Sequence, residues 1–299
     1  MVTRTWTATD ECGLTTTHTQ TVTVQDTTAP TFNEALPSDV TEECDAVTDA
    51  VTLTASDNCG NADVTFDEVR TDGDCPSNYI LTRTWTATDE CGLTTTHTQT
   101  VTVQDTTAPT ITTVAADQTV QCDGSGNTNE LQAWLDTNAG AVATDNCGTV
   151  TWTNNFTGLT DGCGETGIAL VTFTATDECG NSRSTTALFT ILDLLPPTID
   201  TEANDLTVEC DGAGNTSELQ AWLDTNGGAS SSDICGAITW TNNYTGLSDE
   251  CGSTGSATVT FTATDDCGNA TTTTATFTIE DTNAPTFNET LPVRRYCRV

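Results

Sequence analysis

Residues Thr3 to Thr31 (TRTWTATDECGLTTTHTQTVTVQDTTAPT) recur without a change at Thr82 to Thr110, 79 residues further along the chain. A looser pair of segments, CDGSGNTNELQAWLDTN from Cys122 and CDGAGNTSELQAWLDTN from Cys210, is separated by 88 residues. The length alone would suggest about two domains, but repetition at these intervals overrides that estimate. The sequence therefore predicts a tandem array of small units.

An acidic residue followed by a proline-containing stretch punctuates this array. These stretches begin at Asp26, Asp105, Asp193 and Asp281. Because proline cannot donate a ladder hydrogen bond, it ends strands and marks these stretches as linkers. We therefore predict three complete repeats at 27–105, 106–193 and 194–281. The C-terminal part of a truncated repeat (1–26) precedes them, and the start of a further repeat (282–299) follows.

The last segment begins like the first repeat but departs from its pattern after Pro292. Three of the seven basic residues of the chain fall there, at Arg294, Arg295 and Arg298. We interpret this end as a frameshifted or truncated reading frame and assign these three arginines no function.

Large apolar residues alternate with threonine along several segments of each repeat. In the second repeat, examples are Val150 to Thr153, Ala169 to Thr176 and Thr186 to Ile191. A period of two is typical of strands that are buried on one face, and short strands between DNCG and DECGN turns indicate an antiparallel sandwich. The predicted fold is all-β, with tandem immunoglobulin-like antiparallel β-sandwiches.

A short helix is predicted to interrupt the second and third repeats. In the second repeat Asn127 can cap it, a glutamate follows three residues later, and one apolar stripe consists of Leu131, Trp134 and Leu135. We expect this helix to cover an open end of the sheet. The competing interpretation is a ligand groove under Trp134 and its counterpart Trp222. The first repeat is ten residues shorter between its first two cysteines and lacks the helix.

Two residues of the first repeat have side chains that could suggest chemistry. Arg83 lies on the same strand face as Trp85, so its side chain should reach past the ring to a carboxylate at the sheet edge. His97 alternates in register with apolar residues, and we interpret it as a wall residue of a strand rather than a catalytic base.

The chain carries 43 acidic residues against 7 arginines and no lysine, a formal net charge of -36. This charge excludes nucleic acid and anionic membrane as direct partners, since both need a basic face, and it favours cations. No apolar run approaches the ~20 residues of a membrane-spanning helix, so membrane insertion is not expected. The motifs GxSxG and HExxH do not occur, and every candidate carboxylate recurs in each repeat. We therefore predict that the protein is not an enzyme.

Fourteen cysteines without any CxxC pair predict disulfides and an oxidising compartment. The four cysteines of one repeat allow three connectivities. The third and fourth should not pair with each other, because a strand of roughly 30 Å separates them and paired Cα atoms lie only ~5.5 Å apart. If the strands run up and down, the first and third cysteines share one end of a repeat and the second and fourth share the other. We therefore predict the pairs Cys44–Cys75, Cys59–Cys91, Cys122–Cys163, Cys147–Cys179, Cys210–Cys251 and Cys235–Cys267.

The acidic turns are the strongest chemical signal. DNCG and DECG place carboxylate and amide groups at the end of the sandwich where the preceding linker enters with its own aspartate. Converging oxygens suit a hard cation such as calcium, which takes roughly six to eight oxygen ligands. The alternative is that these side chains only hydrogen-bond their own turns. The candidate calcium ligands recur in three sets: Asp26, Asp57, Asn58, Asp89 and Glu90; Asp105, Asp145, Asn146, Asp177 and Glu178; and Asp193, Asp233, Asp265 and Asp266.

These motifs also carry a resemblance. The signature TATDECG at 7–13, 86–92 and 174–180, the signature TDNCG at 144–148 and the DTTAPT linkers resemble hyalin-repeat and related immunoglobulin-like tandem domains. The chain is most similar to the cysteine-bearing version in very large surface proteins of marine Bacteroidetes. The resemblance implies extracellular display and a stalk or adhesive role. The added cysteines and the helical insertion depart from the hyalin pattern, so no ligand is carried over.

The function expected from these observations is an extracellular structural or adhesive repeat array at a cell surface, stapled by disulfides and rigidified by calcium. Its partners would be the neighbouring repeats of the same chain, together with surface glycans or proteins. The alternative is that the repeats themselves are glycan- or protein-binding modules that use the helix-bearing end.

Overall fold

The computed structural model describes residues 1–289, so Arg294, Arg295 and Arg298 lie outside the described residues. An N-terminal hairpin consists of β1 (Val2–Thr9) and β2 (Thr15–Val22). The first repeat then contributes β3 (Thr31–Phe32), β4 (Val40–Glu43), β5 (Ala55–Ser56), β6 (Ala62–Asp72), β7 (Tyr79–Asp89) and β8 (Thr94–Gln104).

The second and third repeats add a helix to this plan. The second consists of β9 (Thr110–Thr113), β10 (Gln118–Gln121), α1 (Thr128–Asp136), β11 (Val142–Thr144), β12 (Thr151–Asn154), β13 (Thr160–Asp161), β14 (Gly167–Thr176) and β15 (Ser182–Leu192). The third consists of β16 (Thr198–Thr201), β17 (Leu206–Glu209), α2 (Thr216–Asp224), β18 (Ser230–Ser232), β19 (Ile238–Asn242), β20 (Gly255–Asp265) and β21 (Ala270–Glu280). No helix in residues 1–289 has the length and apolar character needed to span a bilayer.

Every repeat contains the same two sheets. The larger sheets have the orders β4-β8-β7-β6, β10-β15-β14-β12 and β17-β21-β20-β19, and the smaller ones pair β3 with β5, β9 with β11 and β16 with β18. The all-β prediction of immunoglobulin-like sandwiches is confirmed. One pairing differs from the expected antiparallel arrangement: the second strand of each repeat runs parallel to the last strand of that repeat, as β4 does beside β8.

The chain forms two compact units, and their boundaries fall within the second repeat. The first unit contains residues 1–114, 142–153 and 173–185. The second contains residues 115–141, 154–172 and the chain from 186 onward. Each unit therefore includes one complete repeat and the parts of the second repeat that lie against it.

The core of the third repeat follows the predicted periods. Alternate residues of β20 and β21 point inward, and Phe261 and Phe277 are fully buried. Trp222 of α2 packs on both rings, with centroids 5.2 Å and 5.6 Å away. The indole rings of Trp222 and its counterpart Trp134 are buried in the repeats, so they fill the core and do not line a groove. This placement disfavours the alternative of a ligand groove beneath them.

The predicted helix is confirmed, but its predicted cap is wrong. Asn127 precedes α1 in a left-handed conformation with φ of 49° and makes no side-chain cap hydrogen bond. Its side chain instead donates to the carbonyl of Gln121 and accepts the backbone N–H of Asp123. Asn127 therefore closes the turn that leads into the helix, because its left-handed backbone directs the amide away from the first helical turn.

The first repeat fills its core without a helix. Trp85 of β7 is 1% exposed and donates its indole N–H to the carbonyl of Val51 at 3.0 Å. The corresponding strand residue of the third repeat is Phe261, and the indole there comes from α2. Arg83 lies beside Trp85 and meets Glu68 at 2.7 Å, which confirms the prediction of an edge carboxylate. A tryptophan on the strand thus replaces the volume that the helix supplies elsewhere.

The disulfides join neighbouring repeats, so the predicted pairings within repeats are wrong. The bonds in the first unit are Cys44–Cys147 and Cys75–Cys179, with Cα atoms 6.0 Å and 5.2 Å apart. Those in the second unit are Cys122–Cys235 and Cys163–Cys267, at 6.0 Å and 5.1 Å. The predicted pairs that fail are Cys44–Cys75, Cys59–Cys91, Cys122–Cys163, Cys147–Cys179, Cys210–Cys251 and Cys235–Cys267.

The reason for this error lies at the junctions. The first and third cysteines of one repeat lie where that repeat ends, as shown by the hydrogen bond from the backbone N–H of Cys44 to the carbonyl of Gln104. The second and fourth cysteines of the next repeat lie where that repeat begins. Each pair faces the other across the junction, so the nearest partner belongs to the neighbouring repeat. Cysteines without a partner in the described chain are Cys12, Cys59, Cys91, Cys210 and Cys251.

Candidate cation sites at the repeat junctions

Three aspartates meet where the first repeat joins the second. Asp105 comes from the linker, Asp145 from the DNCG turn and Asp177 from the DECG turn. One carboxylate oxygen of each lies within 4.8 Å of the others. Asp105 and Asp177 are each 6% exposed. The predicted convergence of the linker with the two turns is therefore present at this junction.

Turn geometry explains one oxygen of each turn aspartate. Oδ1 of Asp145 accepts the backbone N–H of Cys147 at 2.9 Å, and Oδ1 of Asp177 accepts the backbone N–H groups of Cys179 and Asn181 at 2.8 Å and 2.9 Å. These bonds close the turns, as the alternative interpretation requires. The second oxygen of Asp145 is buried and has no hydrogen-bond partner among the described residues. Bracing the turn therefore leaves a buried anionic oxygen unexplained.

Smaller clusters form at two of the other linkers, where the linker aspartate meets one turn aspartate and a cysteine sulfur. Oxygens of Asp26 and Asp57 lie within 4.8 Å of each other and of the Cys59 sulfur. Oxygens of Asp193 and Asp233 cluster in the same way with the sulfur of Cys235, which belongs to a disulfide. Within residues 1–289, the buried oxygens that lack partners include Oδ1 of Asp57 and Oδ2 of Asp89 and Asp193.

In the cluster of Asp105, Asp145 and Asp177, the carboxylates destabilise one another's negative charge. Burial raises the pKa of Asp105, and the negative charges of Asp145, Asp177 and Glu43 raise it further. Burial also acts to raise the pKa of Asp265 in the third repeat, but hydrogen bonds from Asn269 and from the backbone of its turn outweigh burial and hold this pKa below its usual value. Ionised carboxylates that are buried together repel one another, and a bound cation would relieve that repulsion.

The donor set fits calcium. All three ligand groups of Asp105, Asp145 and Asp177 are carboxylates, and hard divalent cations prefer oxygen ligands. The sulfurs of Cys147 and Cys235 are in disulfides, so they cannot act as thiolates for a softer metal. Asp105, Asp145 and Asp177 would hold the ion at the junction of the first and second repeats, and water would complete its coordination.

Seven of the predicted ligands are not part of these clusters: Asp89 and Asp265, which are buried in their turns, and five exposed residues. Glu178 accepts the hydroxyl of Thr149 at 2.6 Å, and Asp266 accepts the backbone N–H of Ala237 at 2.9 Å. These side chains are exposed and tie the two turns of one repeat to each other, or contact the adjacent cysteine, so they are not among the ligands proposed below. The five residues are Asn58, Glu90, Asn146, Glu178 and Asp266.

The residues that hold each linker against its repeat were not predicted from the sequence. Glu43 accepts the hydroxyl of Thr106 at 2.7 Å, and Glu209 accepts that of Thr282 at 2.8 Å. Gln121 donates its amide to Asp193 at 3.0 Å. Each of the three residues directly precedes the first cysteine of its repeat, and this shared position was the signal that could have revealed them.

An asparagine two residues after the fourth cysteine also binds the linker. The side-chain amide of Asn181 donates to the carbonyl of Asp105 at 3.1 Å, and Asn269 does the same to Asp193 at 3.2 Å. The first repeat has Leu93 at this position, and there Oδ2 of Asp89 is left without a partner in the described chain. The asparagines of the DECGN and DDCGN turns thus couple the turn aspartate to the linker aspartate.

No family model and no curated protein matches the sequence. The structure has low-scoring likenesses to cadherin ectodomains. The crystal structure of Drosophila N-cadherin EC1-4 has 12% identity and a TM-score of 0.28, covering 93% of this chain and 84% of that chain. That of mouse cadherin-23 EC22-24 has 12% identity and a TM-score of 0.31, covering 85% and 99%. Scores this low carry no argument about function, so the sites have to be judged on their own residues.

Proposed function

We propose that the chain is an extracellular, cell-surface repeat array whose junctions are stapled by paired disulfides and stiffened by calcium. In this role it spaces or displays a binding region away from the cell. The observation that carries the proposal is that each of the two junctions between complete repeats combines two disulfides with carboxylates that converge at the linker between the same repeats.

The disulfides support an extracellular location. Thiols at this density remain reduced in a cytosol, whereas disulfides persist in secreted and surface proteins. Four bonds between repeats would be a liability in a reducing compartment, because their reduction would release every junction at once. The charge of -36 also suits a surface protein, since it keeps a long array soluble and attracts cations.

The clusters support calcium at the linkers. A linker aspartate and two turn aspartates belong to different segments, so one ion that binds all three would hold the linker against the repeat that follows it. The partnerless oxygen of Asp145 and that of Asp193 are the atoms that such an ion would satisfy. Without an ion, rotation about backbone bonds of the linker would let the repeat move within the limits that its disulfides set. Calcium would thus add stiffness that the bridges alone do not supply.

The test is thermal unfolding of the full oxidised chain with calcium and after chelation. A ligand that binds only the folded state raises its stability by about 2.7 kcal/mol per site at a hundredfold excess over the dissociation constant. Titration calorimetry with calcium should show binding that Asp145→Asn reduces by one site. Asp249→Asn is the matched control, because Asp249 is an exposed aspartate outside the clusters.

Two results would contradict the calcium part of this proposal. One is an unchanged unfolding midpoint together with no heat of binding. The other is binding that Asp145→Asn and Asp249→Asn reduce equally, which would indicate diffuse attraction to the acidic surface. Small-angle scattering with and without calcium then tests the stiffening, since the spread of molecular dimensions should narrow when the ion is bound.

A further inference from the structure

The N-terminal hairpin has the same pairing as β7–β8 but lacks its cover. Trp6 lies opposite His18 as Trp85 lies opposite His97, and the two ring centroids are 5.9 Å apart in both pairs. Trp6 is nevertheless 49% exposed, whereas Trp85 is 1% exposed. Because residues 3–31 and 82–110 are identical in sequence, this difference comes only from what packs against each hairpin.

The first repeat shows which segment covers such a hairpin. Residues 27–78, here named the front half-repeat, place β4 parallel to β8 and β6 antiparallel to β7. Backbone carbonyls of the same segment accept hydrogen bonds from polar side chains of the hairpin. Val51 receives the indole N–H of Trp85 at 3.0 Å, and Ser38 receives the amide of Gln99 at 2.8 Å. A surface of this sequence therefore fits a front half-repeat.

An ion pair makes the fit selective. Arg83 is 4% exposed, and its guanidinium meets Glu68 of the front half-repeat at 2.7 Å. Arg4 occupies the same position in the N-terminal hairpin and is exposed. The second and third repeats have the buried residues Val171 and Val259 there. A covering segment for β1–β2 must therefore bring a glutamate, which the front of the helix-bearing repeats does not need.

Two cysteines beside the hairpin supply a second, independent observation. Cys59 and Cys91 are exposed and unpaired in the described chain. The linker residue Asp26 after β2 lies with Asp57 against Cys59, so this end of the hairpin meets the first repeat as β7–β8 meets the second. At the observed junctions, the cysteines at the positions of Cys59 and Cys91 bond to the two that a front half-repeat carries at Cys44 and Cys75.

We propose that β1–β2, with Cys59 and Cys91, is a docking surface for a front half-repeat of the type found at 27–78. The docked segment covers Trp6 and places its glutamate against Arg4. Its first and third cysteines then bond to Cys59 and Cys91. Each bond forms by thiol–disulfide exchange with a low-molecular-weight disulfide, so two protein thiols are oxidised to one S–S bond while the small disulfide is reduced to two thiols.

The test adds an isotope-labelled synthetic segment 27–78, with its Cys59 replaced by serine, to the full chain in the presence of oxidised glutathione. Hydrogen exchange is expected to slow across β1 and β2, whose amide groups at the edges gain strand partners. Peptide mass mapping should find labelled Cys44 on Cys59 and labelled Cys75 on Cys91. The label separates these bonds from the existing Cys44–Cys147 and Cys75–Cys179 bonds.

Two matched segments test the selectivity. Glu68→Gln in the segment should weaken docking by about tenfold or more, as expected for loss of a hydrogen bond to a buried charge. The corresponding segment 106–166 should leave the exchange of β1–β2 unchanged. The proposal is overturned if segment 27–78 protects neither strand, if segment 106–166 protects them equally, or if the labelled cysteines are found distributed over all unpaired cysteines, including Cys12.

Discussion

Removal of one disulfide tests the crossing of junctions most directly. In the variant Cys75→Ser/Cys179→Ser, the Cys44–Cys147 bond still joins the first two repeats. Together with the Cys44–Cys147 bond, the removed Cys75–Cys179 bond closes a ring that contains the 31 residues from Cys44 to Cys75 and the 32 residues from Cys147 to Cys179. A ring of that size constrains the unfolded chain by about 4 kcal/mol, so the variant should unfold more easily by that amount.

Removal of both bridges should cost clearly more than removal of one. The remaining Cys44–Cys147 bond closes 103 residues, and a loop of this length is worth about 4.7 kcal/mol. We therefore expect a second, comparable loss in the variant that also carries Cys44→Ser and Cys147→Ser. The matched control is Cys59→Ser/Cys91→Ser, which removes two unpaired thiols and should change stability by no more than about 0.5 kcal/mol.

The assay is urea unfolding of the oxidised full chain, combined with alkylation of accessible thiols. In Cys75→Ser/Cys179→Ser, Cys44 and Cys147 should remain unreactive because they are bonded to each other. Bridges within repeats would give the opposite result, since the same variant would release both residues as thiols. Alkylated Cys44 and Cys147, or an equal loss of stability in the control, would refute the pairing across junctions.

Three further changes probe the repeats themselves. Trp222→Ala should destabilise the third repeat by about 3–5 kcal/mol in denaturant unfolding, because it empties the space beside two phenylalanine rings; a loss below 1 kcal/mol would contradict its core position. Asn181→Leu should lower the free energy of unfolding by about 1 kcal/mol and weaken calcium binding, because the linker loses a hydrogen bond; unchanged calcium binding would show that this hydrogen bond does not support the ion site. Hydrogen bonds from the backbone of Asn127 and Ser125 lower the pKa of Asp123, so this group stabilises the fold above its unfolded pKa of about 3.9 and that stability is lost as pH falls below it. Asp123→Asn should therefore flatten the acid end of the stability profile, and an unchanged profile would count against it.

Local structure was largely predictable from the sequence. Alternating threonine and apolar residues placed the strands, and the stripe around Trp134 placed the helix, because both depend on periodicity within a few residues. Burial was less predictable. Trp6 and Trp85 stand in identical segments, yet one is half exposed and the other is in a core. The difference depends on the segment that packs on each hairpin, and the sequence of the hairpin itself does not indicate whether such a segment is present.

The disulfides show a second limit. The first and third cysteines do lie at one end of a repeat and the second and fourth at the other, as predicted. The predicted pairing within a repeat was wrong, because each repeat has the same four positions and the spacing fits the cysteines of the neighbouring repeat equally well. Only the junction, where the carbonyl of Gln104 meets Cys44 and Asp105 meets Asp145, shows which partner is nearer.

The staggered bridges also determine how the chain would respond to a pulling force. From Cys44 to Cys267 the backbone runs for about 223 residues, which would extend to roughly 780 Å once unfolded. The shortest covalent route is different: it crosses to Cys147, follows the chain to Cys163 and crosses again to Cys267. That route contains about 16 residues and reaches roughly 60 Å. If the repeats lost their fold under tension, the bridges would therefore limit the separation of Cys44 and Cys267 to roughly 60 Å, instead of the roughly 780 Å of an unbridged chain.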